Sequence, residues 1–117
     1  MHVVVVGGGP VGLTTSIALS AVGISNTIVE RSLDVYGLPR AIVMDAEVRH
    51  SLARLGLGSQ LEHVLEPMLA ADFVDAAGGR LTGIDLKGIE LLGCPIVSIH
   101  FQPMLDALLR EQARHYG

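Results

Sequence analysis

Gly7, Gly9 and Gly12 stand at the spacing of a G-x-G-x-x-G loop, and an acid, Glu30, follows roughly 20 residues later. Those residue types at that spacing can seat a diphosphate and its ribose. The first glycine permits a tight turn, the second lets backbone approach a pyrophosphate with no Cβ in the way, and the third lets a helix pack closely on the strands. The helix start at Pro10 and Val11 then offers unpaired N–H groups and a partial positive charge to an anion. Glu30 can accept hydrogen bonds from the adenosine ribose hydroxyls, and it disfavours NADP because a carboxylate would face the 2'-phosphate. FAD and NAD share this adenosine-diphosphate half, so the loop and its acid do not choose between them.

The elements around these residues are those the motif needs. Val3 to Val6 is a β-branched, wholly apolar run stopped by glycine, which reads as a strand buried on both faces of a parallel sheet. Residues 10 to 22 carry Val11, Ile17, Ala18, Ala21 and Val22 with Pro10 at the helix start and Gly23 at its end. Asn26 to Glu30 is again strand-like, completing a βαβ unit with a right-handed crossover. Residues 31 to 43 are irregular. Met44, Val48, Leu52 and Leu55 then fall on one helical face before Gly56, and Ser59 to Leu65 reads as a further short helix closed by Pro67. Ala71 to Val74 and Leu81 to Leu86 flank a Gly78-Gly79 connection suited to an antiparallel hairpin. Pro95 to Phe101 reads as one more strand, and Gln102-Pro103 opens a helix carrying Leu105, Leu108, Leu109 and Gln112. The expected fold class is α/β: a Rossmann-like βαβ start with an antiparallel hairpin insertion, forming part of one domain over residues 1–117.

Composition narrows the function classes. Apolar residues make up 50% of the chain and charged ones 17%, against about 25% in a typical domain, which hints at a partner surface not contained in these residues. A net charge of -4 with no run of Lys or Arg argues against nucleic acid as a partner. Cys94 is the only cysteine, so no intramolecular disulfide is available, and it reads as a small buried residue. The five histidines show no HExxH arrangement or close acidic partner, so no metal site is assigned, and they read as surface or capping residues. Asp72, Asp75 and Asp85 show no spacing that pairs them for acid–base work, and no catalytic residue is assigned. The valine run breaks on glycine too early for an export signal, and no stretch has the roughly 18 to 20 apolar residues of a membrane span, so a cytoplasmic protein is the expectation.

Three segments together resemble the FAD-dependent aromatic-ring hydroxylases, the flavoprotein monooxygenases related to p-hydroxybenzoate hydroxylase. They are Val3 to Arg31 with its Glu30-Arg31 pair, Leu38-Pro39-Arg40-Ala41 leading into Leu55-Gly56-Leu57, and Gln102-Pro103-Met104-Leu105 with Leu108-Leu109-Arg110. The order and reach of the three cover essentially the whole chain. The resemblance implies FAD as cofactor, with Glu30 and Arg31 on its adenosine part, Arg40 near the pyrophosphate and flavin side, and Gln102 touching FAD from its helix. It further implies NAD(P)H as co-substrate, and O2 and a small aromatic compound as reaction partners. Two later landmarks of that family, an Asp-Gly and a Gly-Asp segment, lie beyond these residues, as does most of a substrate pocket. The expectation is therefore an FAD-binding segment that works with the remainder of its own FAD and substrate domain and is inactive alone. Two other readings stay open at this point: the nucleotide-binding half of an NAD-dependent dehydrogenase, and an FAD-binding module without activity.

Overall fold

A computed structural model describes residues 1–116. The chain opens with strand β1 (His2–Val6), helix α1 (Pro10–Ala21) and strand β2 (Ser25–Val29), and β1 and β2 pair in parallel from His2↔Ser25 to Val6↔Val29. Gly23, at φ 76°, is the residue that turns the chain out of α1, because a left-handed backbone there is open to glycine without steric cost. The βαβ unit is as its sequence pattern predicts. One expectation fails: β1 is not buried on both faces, since Val4 is 57% and Val6 85% exposed among the described residues.

The middle of the chain departs further from its apolar pattern. Val43–Asp45 forms a strand, β3, so Met44 belongs to a sheet and not to the helix face assigned to it. Helix α2 (Ala46–Leu52) starts one residue later, with the Asp45 carboxylate accepting from the Val48 amide at 2.8 Å as its cap. It runs into a π turn at Ala53–Leu57, which breaks at Gly56 (φ 89°), and then into α3 (Gly58–Leu61). The helix expected over 59 to 65 is therefore shorter, and Leu65–Pro67 is a strand, β4. Pro67 is tolerated there because β4 lies at the edge of the sheet, where a missing N–H breaks no ladder.

Strands β5 (Ala70–Val74) and β6 (Arg80–Asp85) make the expected antiparallel hairpin, with a register shift at Phe73/Val74. Asp72 pairs with Arg80 at 2.8 Å, and Asp75 accepts from the Ala77 and Gly79 amides in the turn, so both acids have structural partners. The strand expected over 95 to 101 divides. A small hairpin of β7 (Glu90–Leu91) and β8 (Cys94–Pro95) precedes β9 (Val97–His100), the central strand of an antiparallel sheet ordered β3-β9-β4. Helix α4 (Gln102–His115) closes the described chain.

The β7–β8 turn places Leu92 at φ 55° and Gly93 at φ 76°. Two successive positive φ values favour Asn-Gly, and a leucine there carries about 1 kcal/mol of strain. Leu92 is 53% exposed, so Leu92→Asn removes strain without opening a cavity. We expect a rise in Tm of about 4 °C, readable by thermal melting.

Leu13 and Ile17 of α1, Met44, Leu52, Leu57, Leu61, Leu65, and Leu105 and Leu109 of α4 form the core. Placing Leu105 and Leu109 one turn apart stacks them on one face of α4, which packs across α1. The radius of gyration, 16.7 Å, exceeds the roughly 13 Å of a compact chain of this length, and large apolar side chains such as Val6, Leu81 and Phe101 stay exposed. The apolar excess is thus only partly used in an internal core.

Candidate functional site

The glycine loop joins β1 to α1, and its three glycines meet three different demands. Gly7 turns the chain at φ 105°, and its N–H still donates to the Val29 carbonyl at 2.8 Å, extending the β1–β2 ladder by one bond. Gly12 faces the Gly7 carbonyl so closely that any Cβ would overlap it, so the helix can lie this near the strand end only without a side chain. Gly9 differs. Its backbone is an ordinary extended one (φ -81°, ψ -178°), and a Cβ would meet no atom within 4 Å. Among the described residues, nothing requires glycine at this position. The open space above Gly9 lies at the N-terminus of α1, where Pro10 has no N–H and the amides of Val11 and Gly12 have no intrahelical acceptor. No side chain caps that end and no acidic residue lies in the first turn, leaving its partial positive charge uncompensated.

Glu30 follows β2 directly and is tied to the loop. Its Oε2 accepts from the Gly8 amide at 2.6 Å and its Oε1 from the Ser32 amide at 2.8 Å. These bonds, the Gly8 amide foremost, hold the carboxyl below its ordinary value of 4.5. A depressed folded value means that the stabilisation is present above 4.5 and is lost as pH falls through the folded value. We therefore expect wild type to melt above Glu30→Gln at neutral pH, with the gap closing below 4.5 as the carboxylate is protonated. Parallel thermal melts across that range measure it. Glu30 remains exposed, and each oxygen keeps a lone pair free for a hydroxyl.

An open cleft of about 820 Å³ runs from this corner, lined by Gly9, Glu30, Arg31, Tyr36, Arg40 and Arg110 among others. The Arg40 guanidinium lies 5.0 Å from the centre of the Tyr36 ring, a cation–π stacking distance. Arg110 of α4 donates to the carbonyls of Leu33 and Asp34 at 2.8 and 3.2 Å, fastening the irregular segment over the cleft. Four of the residues singled out in the sequence, Gly9, Glu30, Arg31 and Arg40, thus come together in one place. Pro10 and Val11 do not join them by their side chains, which border a separate apolar cleft with Thr14, Met44, Val48 and Leu105. Their place at the helix start is what serves the loop.

Gln102 is not among the residues that line the cleft beside Glu30. It is 6% exposed, and its Oε1 accepts from the backbone amides of both Arg40 and Ala41 at 2.9 Å. It does not cap α4, since Phe101 holds the cap position without a side-chain bond. Gln102 holds the Arg40 segment from behind. Sequence reasoning misses Asp106 and Tyr36 and assigns no role to Arg110. The available signal is the four-residue spacing of Gln102, Asp106 and Arg110, which puts all three on one face of α4. His100 also departs from its expected place as a surface or capping residue. It is partly buried, its Nδ1 has no partner among the described residues, and desolvation lowers its pKa.

The sequence model of the FAD binding domain matches residues 1–117. The chain belongs to the FAD binding domain family. Among curated relatives it is 28% identical over 111 residues to a probable NADH-specific resorcinol 4-hydroxylase of Rhodococcus jostii (strain RHA1), covering 95% of this chain and 21% of that protein. It is 30% identical over 107 residues to a 3-(3-hydroxy-phenyl)propionate/3-hydroxycinnamic acid hydroxylase of Comamonas testosteroni, covering 92% and 18%. Of solved structures, the flavin-dependent monooxygenase PieE, in complex with FAD and substrate, superposes with a TM-score of 0.80 at 27% identity over 99% of this chain and 22% of PieE. The aromatic-hydroxylase resemblance carried by the three sequence segments is borne out. The chain spans about a fifth of the length of the curated relatives it matches. An FAD binding domain needs a place for a diphosphate, and the space over Gly9, facing an uncapped helix end and sharing a cleft with Arg31, Arg40 and Arg110, has the right chemistry for one.

Proposed function

We propose that this chain is the FAD-binding segment of an NAD(P)H-dependent flavoprotein monooxygenase that hydroxylates a small aromatic compound. The observation that carries the reading is Gly9: a glycine with ordinary backbone angles and open space where a Cβ would lie, next to uncapped helix amides. A glycine with no steric reason among the described residues is accounted for by a ligand that approaches its backbone. In this reading the amides of Val11 and Gly12 hold the diphosphate, Gly7 makes the turn that aims them, and Glu30 accepts from the ribose hydroxyls. Arg31 lies toward the adenosine, and Arg40, stacked on Tyr36, toward the pyrophosphate and the flavin side. Gln102 acts through the Arg40 segment and not by direct contact. Held by these residues, FAD would supply the redox chemistry by which NAD(P)H as reductant and O2 as oxidant hydroxylate the aromatic ring. The chain's own residues bind and orient, and none of them is assigned a proton transfer.

The aromatic substrate, O2 and NAD(P)H belong to the whole protein, and the named activities of the relatives support them. The antiparallel hairpin β5–β6 stands where a dehydrogenase nucleotide domain would continue with further βα units, which favours the flavin reading over an NAD-dependent dehydrogenase. The test is a titration of the chain with FAD, followed by flavin fluorescence, with ADP and NADH as competitors. We expect FAD to bind and ADP to displace it. NADH bound as tightly as FAD would overturn the reading, as would a chain that takes up no FAD.

A further inference from the structure

The geometry points to Asp106 as a positioning residue that sets the polarity of the Gln102 amide and, through it, holds the Arg40–Ala41 backbone against the cofactor cleft. This rests on the proposed FAD site only for the purpose of the positioning, since the contacts themselves lie within the chain. Asp106 is 6% exposed, one turn beyond Gln102 on α4. Its Oδ2 accepts from Gln102 Nε2 at 3.4 Å, while Gln102 Oε1 accepts from the Arg40 and Ala41 amides, both at 2.9 Å.

A glutamine side chain can present either end of its amide, and only its partners decide which. The Arg40 and Ala41 amides are both donors, so they need an oxygen. An ionised carboxylate is an acceptor only, so on the other side it demands the NH2 group. Turned the other way, the amide would set its NH2 against two N–H groups and its oxygen against a carboxylate. Asp106 therefore reinforces from the other side the one orientation that the two amides accept, and that orientation ties residues 40 and 41 to α4 across more than 60 positions of sequence.

A carboxylate is an expensive way to fill a buried position. Burial raises the Asp106 pKa, opposed by the charges of Arg40, Arg110 and His100 and by the Gln102 bond, and its Oδ1 is buried with no partner among the described residues. An acid that serves only as filler is thus disfavoured, while an acid that orients a neighbouring amide has a reason to be there. Asp106 also lines the cleft beside Arg40 and Arg110, so the loop it secures is the cofactor-facing one.

The test reads the loop directly, without any cofactor, by amide hydrogen exchange at Arg40 and Ala41 in the 117-residue chain. Asp106→Asn keeps an acceptor oxygen and should keep protection near wild type. Asp106→Leu should raise exchange at these two amides about tenfold, with amides in the β1–β2 ladder unchanged. Gln102→Glu sets two carboxylates face to face and should lose protection as well. Adding Asp106→Asn to it reverses the bond, with the asparagine NH2 donating to the carboxylate introduced on α4 one turn before it, and should restore protection. FAD titration of the same variants should follow the same order. Unchanged exchange at Arg40 and Ala41 in Asp106→Leu would overturn the assignment, and so would a double variant no better protected than Gln102→Glu alone. If Asp106→Leu does not fold, the pair of Gln102→Glu with and without Asp106→Asn still decides. Should wild type bind no FAD, the proposed function fails while the exchange data stand by themselves.

Discussion

Gly9→Asp is expected to leave the folded chain as stable as before, or up to about 1 kcal/mol more stable, because it supplies the N-cap that α1 lacks. The extended backbone of Gly9 is the normal conformation of a capping residue, and its Cβ meets nothing. An aspartate there would accept from the amides of Val11 or Gly12 and neutralise the positive helix end. Those are the groups proposed to hold the diphosphate, so the same substitution should lower FAD affinity about 100-fold or more, through lost charge-assisted bonds and direct repulsion. Thermal melting and FAD titration on one preparation test both halves. Affinity within a few-fold of wild type would remove the diphosphate from this loop. A destabilised variant would instead show that the space over Gly9 is occupied by the chain itself.

Gly12→Ala should do the reverse and damage the fold first. Its Cβ would overlap the Gly7 carbonyl, and Val5 Cγ1 lies 3.4 Å away. The obstructing atom is backbone at the end of β1, so no side-chain rotation relieves it, and strand and helix have to separate. Overpacking of this kind costs about 3 kcal/mol or more, of which the better helix propensity of alanine returns about 1 kcal/mol. Against a domain stability of about 5 to 15 kcal/mol, we expect a fall in Tm of about 10 °C or more, with weaker FAD binding as a consequence. Melting curves of the two glycine variants side by side separate the residue kept small for the fold from the one kept small for the ligand. A Gly12→Ala chain that melts with wild type would show that α1 can shift away from β1 without loss.

How much of this is legible in the sequence depends on how far each residue's cause lies from it along the chain. The β1–α1–β2 start can be read because its signals are local: an apolar β-branched run, a glycine that turns at φ 105°, a proline at the first helical position. The β5–β6 hairpin and α4 can be read for the same reason. Three-residue strands cannot. Val43–Asp45 and Leu65–Pro67 are strands only because β9 lies between them and pairs with both, and nothing in three residues announces a partner more than 30 positions away. Met44 fits a helical period equally well, and Pro67 reads as a stop until an edge position makes it acceptable.

The site divides along the same line. The sequence by itself determined the loop with its three glycines and the acid that follows β2, because each of these is set by backbone angle, close approach or spacing along the chain. It also brought Arg40 and Gln102 to notice. Only the tertiary structure decided that Gln102 turns inward to the Arg40 and Ala41 amides, that Asp106 stands behind it, and that Arg110 fastens Leu33 and Asp34. The physical reason is that a buried polar side chain takes its role from the donors and acceptors around it, and those arrive from α4 and from the irregular segment before β3 only once the chain has folded.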